Sequence, residues 1–201
     1  MNLPNKISLL RILLVPIFLI FAVPVDGVGF LSGYNNFIHE YGCIIAGVIY
    51  IIASATDSID GRIARGRNLV TKMGKFLDPI ADKLLVTSAV LVLVQRQQLS
   101  SWLAMIIIGR ELIITGFRLV ASGDGVVIAA NNLGKVKMVA QTIAISWMLF
   151  EPKLLELLGN WYKWEYFITP GSVFILISAV LTVISGYVYI RDNIHIIKNE
   201  F

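Results

Sequence analysis

Charge is scarce in this sequence. Asp, Glu, Lys and Arg supply 15% of its 201 residues, where soluble domains usually hold about 25%. With 57% hydrophobic residues and a mean hydropathy of +0.77, the chain cannot hide its apolar surface in one water-soluble core. Lipid must be part of its solvent. Cysteine is almost absent as well: Cys43 is alone, which excludes an intrachain disulfide, and inside an apolar run it reads as a small buried hydrophobe. No cleavable signal peptide is evident, because the apolar run after Arg11 is flanked by Pro16 and Pro24 and shows no clear small-residue cleavage site. That run reads as a retained first span. Low-complexity tracts, internal repeats and a separate soluble domain are missing too, so residues 1–201 read as one membrane domain. What charge remains is basic, a formal +4. The Lys and Arg lie between apolar segments and not in a patch interleaved with aromatics, which argues against nucleic acid as a partner. They read as topology signals and as contacts for anionic membrane lipid or phosphate.

Crossing a bilayer takes about 20 mostly apolar residues, somewhat fewer where a helix ends in a polar cavity. Six segments qualify: Ser8–Val25, Tyr41–Thr56, Pro79–Val94, Trp102–Ala121, Val136–Phe150 and Gly171–Ile190. The expected fold is therefore all-α, a polytopic integral membrane protein of six transmembrane helices. Gly, Asn and Ser make Asp26–Asn36 and Ser122–Asn132 read as loops. Threaded in order, the spans leave fourteen Lys and Arg on one side and three, Arg96, Lys153 and Lys163, on the other. Basic excess marks the cytoplasmic side, so both termini are expected there. Trp102, Trp147, Trp161 and Trp164 fall near the opposite ends, where an aromatic belt would sit.

The chemistry is concentrated where the second span gives way to the third. The chain there reads Asp57-Ser-Ile-Asp60-Gly61-Arg-Ile-Ala64-Arg65, then eight residues, then Gly74-Lys-Phe-Leu-Asp78-Pro-Ile-Ala-Asp82. At about 100° per residue, Asp57, Asp60, Gly61 and Ala64 share one helical face, and Gly74, Asp78 and Asp82 form a second stripe if that segment is also helical. Pro79 should bend that second helix or mark its first turn. An ionised Asp at mid-bilayer costs at least about 2.5–3.5 kcal/mol, and neighbouring carboxylates repel, so something cationic must compensate. Oxygen ligands with no His or Cys nearby favour Mg²⁺ or Mn²⁺ over Zn²⁺. Four Asp on two facing helices could hold two such ions, an arrangement suited to displacement at phosphorus. Small residues at Gly61, Ala64 and Gly74 would let a base and ribose approach the backbone, and Arg65 can pair with a phosphate oxygen.

Taken singly, each residue has a plainer reading. Asp78 could cap a helix before Pro79, the small residues could be helix–helix contacts, and Arg62, Arg65 and Arg67 could be only a positive loop. The carboxylates could together form a cation relay in a transporter. None of these accounts for all of the residues falling within twenty-six positions.

The segment matches D-x-x-D-G-x-x-A-R-x8-G-x-x-x-D-x-x-x-D at all eight fixed positions, and in this it resembles the CDP-alcohol phosphotransferase family. The resemblance implies a six-helix membrane enzyme, usually dimeric, with a two-metal site open to the cytoplasm. By the same resemblance Asp57, Asp60, Asp78 and Asp82 are metal ligands, Asp82 is also the general base, and Gly61, Ala64, Arg65 and Gly74 line the CDP pocket. Weaker matches lie in Leu3-Pro4-Asn5 with Leu10-Arg11, in Asp78 to Lys83, in Gly109 to Arg118, and in Gly134 to Lys137 with Gln141. These are similar to the bacterial phosphatidylglycerophosphate-forming branch of the family, and Asn5 joins the binding residues on that ground. The branch implies CDP-diacylglycerol and glycerol 3-phosphate as substrates, two divalent cations, Mg²⁺ or Mn²⁺, as cofactors, and a homodimer in the bacterial cytoplasmic membrane. The nearest alternative is a related synthase with another acceptor, of the cardiolipin synthase type; a carboxylate-based cation transporter and an inactive scaffold are more distant. Ser32–Glu40 and the connection between the fifth and sixth spans match nothing usable.

An acceptor carrying a phosphate needs cations to hold it. Arg110 and Arg118 lie about 80° apart on a helical wheel and can face one cavity, whereas Lys135 and Lys137 point about 160° apart, so one of the two is expected inward. The resemblance favours Lys135. Glu111 could pair with one Arg and reduce the charge left for substrate.

Overall fold

Each of the six apolar segments lies within one helix, except that Val23–Val25 run past the end of the first. The computed structural model describes the backbone of residues 3–25, 29–66, 72–123, 132–158 and 169–197, and side chains within 8–25, 30–56, 80–122, 132–158 and 169–194. The described residues form α1 (Leu3–Ala22), α2 (Ser32–Gly66), α3 (Lys72–Gln95), α4 (Ser101–Gly123), α5 (Asn132–Leu158) and α6 (Pro170–Ile197), with one 3-10 turn at Gly29–Leu31. No strand occurs among them.

Two expected loops are shorter than their composition suggests. Ser32–Asn36 opens α2, Ser122 and Gly123 close α4, and Asn132 opens α5, while 26–28 and 124–131 lie outside the described residues. Polar residues that look loop-forming have a different task here. The last carbonyls of a helix lack intrahelical donors, and α2 supplies some to α1: the Tyr34 hydroxyl donates to the Ile20 carbonyl and, at 3.3 Å, to that of Val23. The Asn35 amide brackets Val25, accepting from its N–H and donating to its carbonyl at 2.9 Å each.

Among the described residues two stretches are long and apolar enough to cross a membrane, Ser32–Thr56 in α2 and Pro170–Ile194 in α6; Ser8–Ala22 is a shorter apolar helix. The other three helices carry interior charges, Asp82 and Lys83 in α3, Arg110 and Glu111 in α4, Lys137 in α5. Outside the bundle, Phe30, Trp102, Leu119 and Leu157 are each 75% exposed or more, an apolar exterior of a kind that water does not tolerate over large areas. Trp147 packs edge-on against Phe174 with ring centroids 5.4 Å apart; Trp161 and Trp164 lie outside the described residues.

α1 packs on α2 and α3, α5 on α2 and α6, and α4 on α6. Phe18, Tyr50, Leu93, Ile107, Ile145 and Leu149 are fully buried between them, and so are Ala22, Ala46, Ala53, Ala89 and Ala144. Small residues at crossings let helix backbones approach closely. Gly42 takes this furthest, since a Cβ there would stand 2.6 Å from the Phe21 carbonyl oxygen on α1.

Side chains distant in sequence close the helix ends. Arg96 donates from Nε at 3.0 Å and Nη2 at 2.6 Å to the Ala22 carbonyl at the end of α1, where a cation also meets the negative end of the helix dipole. Gln97 adopts a left-handed φ of 58° and turns the chain so that the Gln98 and Leu99 N–H groups reach the Leu93 carbonyl at 2.9 and 3.1 Å, as helix C-caps do. Glu151 caps α6 from α5: its buried carboxylate accepts from the Gly171 N–H at 2.7 Å and the Thr169 hydroxyl at 3.0 Å. Removing that carboxylate strands two donors, and Glu151→Ala should cost about 1–3 kcal/mol, seen as a lower unfolding temperature in detergent. Lys153→Ala, which breaks only a surface pair with Glu156, should shift it little; equal shifts would show that the cap contributes nothing.

Candidate active site

A five-residue connection, 67–71, joins α2 to α3. Counted from it, Asp60 stands six residues before the end of α2 and Asp78 six residues after the start of α3, while Asp57 and Asp82 stand nine and ten residues in. At about 1.5 Å per residue these are two matching levels, roughly 9 and 14 Å along each helix. The two helices are in contact. Because α3 begins at Lys72, Asp78 is its seventh residue, which excludes the N-cap reading, and Pro79 lies in the helix interior and not its first turn. There the proline denies one carbonyl of the preceding turn its helical donor. The side chains of Asp57, Asp60, Gly61, Ala64, Arg65, Gly74 and Asp78 lie outside the described residues, as does that of Asn5.

Asp82 is the described member of the set. It lines a cavity of about 1250 Å³ to which all six helices contribute. Among the described residues the lining carries six basic side chains, Arg11, Lys83, Arg110, Arg118, Lys135 and Lys137, against two acidic ones, Asp82 and Glu111. Such an excess in a low-dielectric cleft attracts anions, and phosphate above all. Ile51, Val139, Ile143, Trp147, Phe150 and Leu154 supply an apolar wall. Along α5 the basic lining residues come first and the apolar ones follow, over about 28 Å from Lys135 to Leu154.

Glu111 is the hub of the cationic part. Its Oε1 accepts from Lys137 Nζ in a close contact and lies 3.4 Å from Arg110 Nη1, and its Oε2 lies 3.7 Å from Lys83 Nζ. One carboxylate thus ties α3 and α5 to α4. Arg110 also donates to the Ser185 hydroxyl on α6 at 3.1 Å. Arg118 stacks over the Tyr189 ring, 5.2 Å from its centroid, and its Nε donates to the hydroxyl at 3.0 Å.

Arg110 and Arg118 share one cavity, as their wheel angle allows. Glu111 pairs with Arg110 and takes two lysines besides. Of the two lysines of α5 it is Lys137, and not the expected Lys135, that turns inward: Lys137 is 4% exposed because Glu111 on α4 pairs with it there, while Lys135 borders the cavity with an exposed side chain. Arg11, 1% exposed, and Lys83 join the lining although they carry no site role in the sequence reading. Arg11 had a signal, because a lone ionisable residue in an apolar span faces the bundle interior as a rule. Tyr189 had none, since its stacking with Arg118 bridges residues 71 positions apart.

Residues 1–185 match the sequence model of the CDP-alcohol phosphatidyltransferase family. The chain belongs to that family. A Bacillus subtilis (strain 168) protein named CDP-diacylglycerol–glycerol-3-phosphate 3-phosphatidyltransferase is 42% identical, with 99% of this chain and 98% of that protein covered. Proteins of the same name from Escherichia coli (strain K12) and Rickettsia felis are 34% and 31% identical, with 94% of this chain and 93% and 94% of theirs covered. CDP-alcohol phosphatidyltransferases are in general metal-dependent, and the donors present fit a hard divalent ion: carboxylates only, at two matching levels on helices in contact. Among the described residues no three metal-ligating side chains converge; the side chains of Asp57, Asp60 and Asp78 lie outside them.

The Glu111 cluster has a measurable consequence for this transferase. Taking away one partner of a buried ion pair leaves an uncompensated charge and costs about 3–5 kcal/mol. Glu111→Ala should therefore depress the unfolding temperature strongly, and adding Lys137→Met should recover much of the loss. A double variant no more stable than the single one would show that the Lys137 pair is not the source.

Proposed function

We propose that this CDP-alcohol phosphatidyltransferase moves the phosphatidyl group of CDP-diacylglycerol to glycerol 3-phosphate, giving phosphatidylglycerophosphate and CMP. The observation that carries the reading is a single cavity in which Asp82 of the eight-position signature meets Arg110, Arg118 and Lys135 and from which an apolar wall leads away. The shared name of the relatives supports it. Asp82 takes the proton of the acceptor's primary hydroxyl as that oxygen bonds to the lipid-bearing phosphorus, and the bond from this phosphorus to the CMP oxygen breaks. Gly61, Ala64, Arg65, Gly74 and Asn5 bind the CDP-lipid in this reading, on the strength of the sequence signature. Arg110, Arg118 and Lys135 hold the acceptor's phosphate, and the wall from Ile51 to Leu154 takes acyl chains. Two divalent cations, Mg²⁺ or Mn²⁺, held by Asp57, Asp60, Asp78 and Asp82, would supply positive charge to the phosphate oxygens.

The same reading makes residues 1–201 one six-span domain, a homodimer in the bacterial cytoplasmic membrane with both termini and the cavity mouth on the cytoplasmic side. The distribution of Lys and Arg supports that orientation. Ionisable groups on α3, α4 and α5 line the cavity, which is how spanning helices that carry charge avoid exposing it to lipid.

In inverted membrane vesicles, CMP release from CDP-diacylglycerol should require glycerol 3-phosphate, stop with excess chelator and return with Mg²⁺ or Mn²⁺. Asp82→Asn should lower kcat by about 10²–10⁴-fold. Sealed right-side-out vesicles should be silent until permeabilised. Release that persists in chelator would sink the metal-assisted mechanism, and equal activity in the two orientations the topology.

The acceptor assignment makes a separate prediction. Losing one charged hydrogen bond to phosphate costs roughly 1.5–3 kcal/mol, about 10–150-fold. Arg110→Ala, Arg118→Ala and Lys135→Ala should each raise KM for glycerol 3-phosphate by that order, with KM for CDP-diacylglycerol changed only a few-fold. Equal effects on both substrates would refute the assignment.

A further inference from the structure

Arg110 and Arg118 stand on α4, two turns apart, yet α6 grips both of them. From Pro170 to Ile190 that helix carries no charged residue, and two of its buried polar side chains are Ser185, 1% exposed, and Tyr189. These lie one turn apart, about 6 Å along the axis, and each accepts a hydrogen bond from one arginine. Ser185 Oγ accepts from Arg110 Nη2 at 3.1 Å, and Tyr189 Oη from Arg118 Nε at 3.0 Å.

Both acceptors are themselves fixed. Ser185 gives its own proton to the Thr182 carbonyl at 3.1 Å, which turns its lone pairs toward Arg110. The Tyr189 ring meets Phe117 edge-on, with centroids 5.9 Å apart, while the Arg118 guanidinium lies over the ring. Beside Ser185 the backbone of α6 closes on the arginine stem, since a Cβ at Gly186 would stand 3.1 Å from Arg110 Cγ. An arginine has many rotamers, and those lost when a ligand binds weaken the binding. A side chain held in place beforehand loses fewer of them. The bond to Tyr189 takes Nε, so the Nη end of the Arg118 fork is the end that a phosphate can meet.

We propose that Ser185 and Tyr189 are positioning residues: they hold Arg110 and Arg118 in the conformers that receive the acceptor's phosphate, so that an uncharged stretch of α6 sets the affinity for the acceptor. The proposal rests on the glycerol 3-phosphate reading and adds to it the residues that preorganise the phosphate site. Neither residue touches the reacting atoms in this role, and neither acts on CDP-diacylglycerol.

The test uses the purified protein with Tyr189→Phe, which keeps the ring under Arg118 and removes only the hydroxyl, and with Ser185→Ala. Each should raise KM for glycerol 3-phosphate by roughly 3–10-fold, with kcat, KM for CDP-diacylglycerol and the unfolding temperature close to those of the wild type. Each substitution is then repeated where its arginine is gone. Tyr189→Phe in an Arg118→Ala protein, and Ser185→Ala in an Arg110→Ala protein, should change KM for glycerol 3-phosphate by less than about twofold, because a residue that acts through another has no effect in its absence. A hydroxyl variant that leaves KM unchanged, raises both KM values alike, or keeps its full effect without the arginine overturns the role of that residue. Arginine variants that affect both substrates equally overturn the phosphate reading itself. Arginine variants selective for glycerol 3-phosphate beside silent hydroxyl variants overturn only the positioning role, so the two failures are told apart.

Discussion

Lys137 is 4% exposed, and its ammonium group is paired with the Glu111 carboxylate. Moving an isolated charge out of water costs several kcal/mol even after the protein relaxes, so a buried lysine needs a partner. The rest of the site follows from this need. Glu111 reaches Lys83 on α3 and Arg110 on its own helix as well as Lys137 on α5, so the ion cluster that makes the charge tolerable also sets three helices against one another. With one carboxylate serving three cations, the cavity keeps a net positive lining without leaving any of the three bare.

The same economy of polar partners appears at the helix ends. Arg96 closes α1, Glu151 opens α6, and Tyr34 and Asn35 serve the chain that leaves α1. Each is a polar group inside or beside an apolar bundle, and each answers a backbone group that the helix itself cannot satisfy. The bundle holds its cavity open at the centre while its ends are tied by residues far apart in sequence, as with Arg96 and Ala22, 74 positions apart.

A cavity with one charged and one apolar portion matches a substrate with a phosphate-rich head and hydrocarbon tails. The order along α5, basic residues first and Trp147, Phe150 and Leu154 later, runs along the axis of that helix. A soluble enzyme would have to extract the lipid first, at about 0.8 kcal/mol per exposed methylene.

The chain of residues alone determined that this is an all-helical protein of six apolar segments, because helix length and hydropathy are local properties and a long apolar run has few other ways to pair its backbone. It also determined the carboxylate signature, since helical spacing within one segment is enough to put Asp57, Asp60 and Gly61 on one face. Local composition misled at Ser32–Asn36, where polar residues serve the end of α1 and continue a helix. Which of Lys135 and Lys137 turns inward, why Arg11 is buried, and that Tyr189 backs Arg118 were decided only by tertiary structure. Each depends on what a neighbouring helix brings to the same depth in the bundle, and the rotation of one helix against another is set by packing and charge pairing across the interface, not by the spacing of residues along either strand of sequence.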